Sequence, residues 1–236
     1  MENNTINNAN NNTNNDKKTL FIGIGVVAVA AVVGISSLLS GGGYKKAIKE
    51  SIKLINEKTE GDLPYQEYTQ IKEMREYNAL SMEIFDKDDE QWENYIEQLE
   101  DEFGDDYKIK YEISKAEKLD EDDLDDLADD LEDSYDAYVD MEDSIMDSID
   151  YLCDEEDVSS KDQKKLEKEH EKLIEAYEDV KVKEAYEVTL KCTIEGEDDE
   201  DDFKIKDLVI AKVNGEWIFV SGRLNPSTIV SKTIND

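Results

Sequence analysis

Between Leu20 and Leu39 the chain reads LFIGIGVVAVAAVVGISSLL, twenty residues without a charge. At ~1.5 Å per residue, a helix of that length crosses the ~30 Å hydrocarbon core of a bilayer. No charged position gives the run an amphipathic face, so a helix buried inside a soluble domain is the weaker reading. A secretory signal has an apolar stretch of only ~7 to 15 residues that ends in a small-x-small site. The sole Ala-x-Ala match, Ala28 to Ala30, lies in mid-run. Leu39-Ser40-Gly41 has the look of a lipid-attachment box, but Gly42 stands where the modified cysteine would be needed. Residues 20–39 are therefore predicted to be a retained, single-pass transmembrane helix.

The flanks fit that reading. Residues 1–19 form an Asn-rich tail with no apolar periodicity, predicted to be disordered. Residues 40–43, with Gly41-Gly42-Gly43, form a short joint. Lys45, Lys46, Lys49, Lys53 and Lys58 outnumber Lys17 and Lys18 across the span, so the lysine count alone favours a cytoplasmic domain. Long domains translocate largely regardless of charge. The order of tail, lysine pair, apolar helix and single domain is similar to that of bacterial signal-anchored envelope proteins, which implies a domain outside the cytoplasm.

The formal net charge is −35, and the charges of the first nineteen residues cancel, so the remainder carries all of it. Such a surface repels nucleic acid and anionic lipid headgroups, and suits cationic partners, weakly held divalent ions or simple solubility. Cys153 and Cys192 are too few for a disulfide framework and lack metal-ligand spacing, and whether they pair is left open.

Residues 44–225 are predicted to be one acidic α+β domain, with 226–236 as a tail. Tyr44, Ile48, Ile52 and Ile55 recur at helical spacing. Residues 68–85 and Trp92 to Phe103 give two more helices, the last ending at Gly104. The period then changes to two. Tyr107, Ile109, Tyr111 and Ile113 alternate with polar residues, as do Tyr186, Val188, Leu190, Cys192 and Ile194. Phe203, Ile205, Val209, Ala211 and Val213 mark a third strand, and Asn214-Gly215 a two-residue turn into a fourth through Trp217 and Phe219. The expectation is a four-stranded antiparallel sheet with helices on one face.

An insert, 120–180, separates the first two strands. Leu124, Leu127, Leu131, Tyr138, Ile145, Ile149 and Leu152 predict an amphipathic helix; Leu166, His170, Leu173, Tyr177 and Val180 predict another after a capping box at Ser160 to Gln163. The segment reads as a helical hairpin, or as one helix broken near Asp154 to Ser159. From Asp120 to Asp157 it holds twenty acidic residues and no Lys or Arg. A calcium loop would need ligands at fixed short spacing, which is absent. The commoner reading is a solvated face relieved by Lys164, Lys165, Lys168 and Lys172; the functional one is a surface for a basic protein partner or ligand. The turn Glu195 to Asp202 adds seven carboxylates. His170, the only histidine, falls on an apolar stripe, where packing is the usual role. No nucleophile elbow, phosphate loop or dinucleotide fingerprint occurs. The reading assigns no catalytic, cofactor-binding or metal residues and no enzymatic activity.

Lys212, Gly215 and Trp217, set in IAKVNGEWIFVSG after the strand Tyr186 to Ile194, resemble the final hairpin of nuclear-transport-factor-2-like (cystatin-like α+β cone) domains, including membrane-anchored Gram-positive envelope proteins. The resemblance covers roughly residues 44–119 and 181–223, and implies helices packed into a curved sheet whose concave face, with the acidic hairpin, is a contact surface. The insert departs from that plan. The expected function is a membrane-anchored extracytoplasmic binding or scaffolding module. The alternative is a component of an envelope secretion or conjugation complex, and a cone-pocket enzyme is the least supported.

Overall fold

A computed structural model describes residues 43–61, 63–85 and 92–234. The tail 1–19, the span 20–39 and all of the joint except Gly43 lie outside the described residues. Among the described residues no helix is long and apolar enough to cross a membrane.

The chain forms α1 (Tyr44–Asn56), α2 (Leu63–Gln66), α3 (Lys72–Phe85) and α4 (Glu93–Phe103), followed by β1 (Lys108–Lys118). The insert is α5 (Glu121–Val139), α6 (Glu142–Glu155) and α7 (Ser160–Glu178). Then come β2 (Val182–Glu195), β3 (Glu200–Val213), β4 (Glu216–Ser221) and α8 (Pro226–Thr233). The sheet is antiparallel with order β1-β2-β3-β4, as the hairpin signals predict. Asn214 and Gly215 both take positive φ at the last turn, 49° and 95°.

Helices cover both faces of the sheet rather than one. On the first face, Ile48, Ile52 and Ile55 of α1, Ile96, Leu99 and Phe103 of α4, and Ile229 and Val230 of α8 pack on Val188, Leu190, Cys192, Ile194, Phe203, Ile205, Leu208 and Ile210. On the second, Leu173 and Tyr177 of α7, with the inner residues of α3 and α5, pack on Ala185, Ala211, Val213 and Ile218. A bulge lets β3 serve both cores. Asp207 adopts φ 57° where the pairing slips between Val188/Leu208 and Leu190/Ile205. Phe203 and Ile205 thus continue on the first face as Leu208 and Ile210, while Ala211 and Val213 turn to the second. A continuous odd-numbered face through Val209 does not form.

The insert has three helices, because the chain turns at Asp140 and Met141 as well as after Glu155. The cap of α7 is Ser159, whose Oγ accepts from the Asp162 N–H at 3.2 Å. Residues 226–233 are not tail. Asn225 caps α8, Pro226 opens it and Ile229 is fully buried.

Each sheet edge is capped at one end. Asn56 donates from Nδ2 to the Ile109 carbonyl (3.0 Å) and accepts the Ile109 N–H (2.7 Å), occupying the outer edge of β1. At β4, the Phe219 N–H donates to the Tyr68 carbonyl, and Arg75 grips Glu216 with two hydrogen bonds of 3.0 and 3.2 Å. At the other end of the sheet, Gly196 lies so close to the end of α4 that a Cβ would stand 1.6 Å from the Phe103 carbonyl oxygen. Gly196→Ala must push backbone against backbone. It is expected to cost ~2 kcal/mol or more, read as a lowered urea midpoint with an unchanged slope.

Candidate functional site

The insert, α5 to α7, separates β1 from β2 and covers the second face of the sheet. Its inner side is apolar: Leu124, Leu127, Leu131, Tyr135 and Tyr138 of α5 pack toward α7 and β2. Tyr135 stacks on Tyr177 with ring centroids 4.1 Å apart, and Tyr138 meets Tyr177 edge-on at 5.2 Å. The outer side of α5 is a ladder of exposed carboxylates, Asp122, Asp125, Asp129, Asp133 and Asp136, at three- or four-residue spacing.

None of the twenty acidic residues from 120 to 157 forms an ion pair among the described residues. The relief expected from α7 is not delivered. Lys165 pairs with Asp162 and Lys172 with Glu169, both within α7. The cross-link to α6 is neutral: Gln163 donates from Nε2 to Asp150 at 2.9 Å. Asp123, at the start of α5, is buried and its Oδ2 has no hydrogen-bond partner. Burial, then Asp120, Asp126, Asp122 and Glu187, push its carboxyl above the usual range. Among the described residues no three His, Cys, Asp or Glu side chains are grouped to hold a metal ion. Among the described residues the large exposed apolar side chains are also on the insert: Met141 (52 %), Tyr151 (63 %) and Leu152 (37 %).

The remaining reactive groups are scattered. Cys153 and Cys192 are both free and buried, in separate clusters. Burial pushes the Cys192 thiol up to about 12, which removes it as a nucleophile. The Glu195 to Asp202 turn is held by its own backbone and by Phe103. The sheet face proposed as a cone surface is filled by α1, α4 and α8. Beside it lie two open grooves among the described residues, ≈ 430 Å³ between α1 and β1 and ≈ 770 Å³ between β3 and α8. The lining of the first includes Lys49, Lys53, Lys108 and Lys110, a basic patch that whole-chain charge conceals. Only its position on two separate elements prevented its being read from sequence.

Comparison with protein-family models, curated proteins and solved structures gave no match for this chain.

His170 sits where two cores meet. It is fully buried, with Tyr77 of α3 at 5.6 Å and Tyr138 of α5 at 6.0 Å between ring centroids. Tyr77 packs against both the sheet-side cluster and the α6 cluster of Ile149, Cys153 and Leu166. Neither ring nitrogen of His170 has a hydrogen-bond partner. Burial pushes its pKa below the ordinary value, opposed by Glu142 of α6 and Glu171 of α7. The unfolded chain therefore takes up a proton as pH falls through ~6.5 while the folded chain does not. Stability should be level above that pH and fall below it, before the carboxylates begin to titrate. His170→Leu should abolish that slope and add ~1 kcal/mol near neutrality by removing two unsatisfied nitrogens. Urea titrations from pH 5.5 to pH 7.5 (chosen about the ordinary His value of ~6.5) would measure both.

Proposed function

We propose that the protein is a membrane-anchored, extracytoplasmic contact module without catalytic activity, whose acidic insert receives a basic partner. One observation carries this reading. A block of twenty acidic side chains has no internal cation to neutralise it among the described residues. Like charges at three- and four-residue spacing destabilise a helix, so α5 carries a cost to its own folding that a cationic partner would offset. Met141, Tyr151 and Leu152 supply apolar contact beside the charge. The sealed His170 and the two buried thiols fit a non-catalytic role. The hairpin residues Lys212, Gly215 and Trp217 support a nuclear-transport-factor-2-like envelope domain, and the apolar run 20–39 supports the anchor.

The test for contact is direct. Converting Asp122, Asp125, Asp129, Asp133 and Asp136 to Asn should raise the melting temperature and abolish binding of a synthetic Lys/Leu amphipathic peptide. Binding to the unaltered chain should weaken steeply with salt. Equal binding by both proteins would refute the insert as the surface. For location, a cysteine placed near the carboxyl terminus should react with a membrane-impermeant reagent on intact cells. The buried native thiols give little background, and silence would reverse the orientation.

A further inference from the structure

One helix of this acidic chain gathers lysines along a single exposed side. In α1, Lys45, Lys46, Lys49 and Lys53 are all exposed, against a single acidic residue, Glu50. At ~100° per residue they fall within one quadrant or so of the helix, opposite the buried Ala47, Ile48, Ser51, Ile52 and Ile55. Only Lys53 has ion-pair contacts, to Glu50 and Glu57, each at 3.8 Å. Lys45, Lys46 and Lys49 have no ion-pair partner among the described residues. The stripe ends at the α1–β1 groove, whose lining adds Lys108, bonded to the Asn56 carbonyl, and Lys110, paired with Glu195, beside Glu57. The acidic insert packs on the opposite face of the sheet. Two layer spacings of ~10 Å separate the faces, more than the ~8 Å screening length at physiological salt.

The start of α1 is also fixed in place. Gly43 has φ 91°, and a Cβ there would stand 3.0 Å from the Trp217 ring. Tyr44 stacks on Tyr186 at 4.3 Å, and Trp217 lies 6.1 and 5.9 Å from the two rings. The chain therefore enters the domain through a half-buried aromatic clamp on β2 and β4. From Leu39 to Tyr44 is five residues, a reach of at most about 18 Å. A chain length that short confines the first turn of α1, with Lys45 and Lys46, to the neighbourhood of the bilayer surface.

We infer that the lysine face of α1 docks on the anionic phospholipid headgroups of the bilayer that holds residues 20–39, and so sets the orientation of the whole domain, with the insert turned away from the membrane. This rests on the anchored reading proposed above. The headgroup phosphates are the occupant because the tether brings them within reach of a basic face, and interfacial Tyr and Trp commonly accompany such contacts.

Full-length protein carrying Glu57→Cys with a donor dye, reconstituted in nanodiscs with a headgroup acceptor, reads the apposition. Energy transfer should be higher in phosphatidylglycerol discs than in phosphatidylcholine discs, and high salt should remove the difference. Lys45→Gln, Lys46→Gln and Lys49→Gln together should lower the docked-to-undocked ratio on the order of a hundredfold, at roughly fivefold per lysine. These surface changes leave the core intact, which the melting temperature checks. Transfer that ignores lipid charge while the protein stays in the discs overturns the docking alone. Failure to remain in neutral discs overturns the anchor and the docking with it.

Discussion

The sheet is buried on both faces where β2, β3 and β4 run together, and on one face elsewhere. That constraint explains the odd features of its strands. Along most of β2 the apolar residues alternate cleanly, Tyr186, Val188, Leu190, Cys192 and Ile194 facing α1, α4 and α8. At the insert end the second face must be apolar too, so Ala185, Ala211, Val213 and Ile218 replace the Lys and Glu found farther along. A strand of strict alternation cannot meet both demands in phase, and the bulge at Asp207 shifts β3 between them. The insert is thus no loose appendage. Leu173 and Tyr177 of α7 complete a core that the sheet alone leaves open.

That docking is what permits so acidic a helix. α5 gains little from intrinsic propensity, since Asp favours caps over helix interiors. It is held by Leu124, Leu127, Leu131 and the Tyr135–Tyr177 stack on one side, while its carboxylates spread into solvent on the other. Asp120 puts one of them to structural use by accepting the Asp123 N–H at 3.0 Å, where negative charge also suits the helix amino end. His170 adds a neutral, unsatisfied ring at the junction of α3, α5 and α7. The insert is therefore held chiefly by apolar and aromatic contact, with Gln163 donating to Asp150 and Asn214 to the Ala176 carbonyl, packing that tolerates a charged exterior.

What the sequence reveals and conceals follows the same physics. The alternation of Tyr107 to Ile113 and Tyr186 to Ile194, the Asn214-Gly215 turn and the helical stripe Leu166 to Tyr177 were legible because each depends on local periodicity or turn chemistry. The faces of β3 were misread because periodicity is blind to a bulge: Val209 looked in phase with Phe203, and Leu208 did not. The spacing from Tyr138 to Ile145 stays helical across a break that only the backbone reveals. α8 had a signal that went unread, Asn225 before Pro226, which is a cap followed by a first-turn proline. Two-sided burial was hidden because it depends on which helices return to the sheet, and no single segment encodes that.

Charge shows the same division between sum and arrangement. A net −35 argues that the chain avoids anionic surfaces, and for a sphere of uniform charge that would hold. Here α1 and the insert lie on opposite faces of one sheet, and salt screens each from the other. The contacts of Gly43 and Tyr44 with Trp217 and Tyr186 fix the end of α1 at which its basic face begins. The field felt at either surface is then local and opposite in sign. An acidic protein can in this way rest on an anionic bilayer by one helix and offer its carboxylates, at the far side, to a cationic partner.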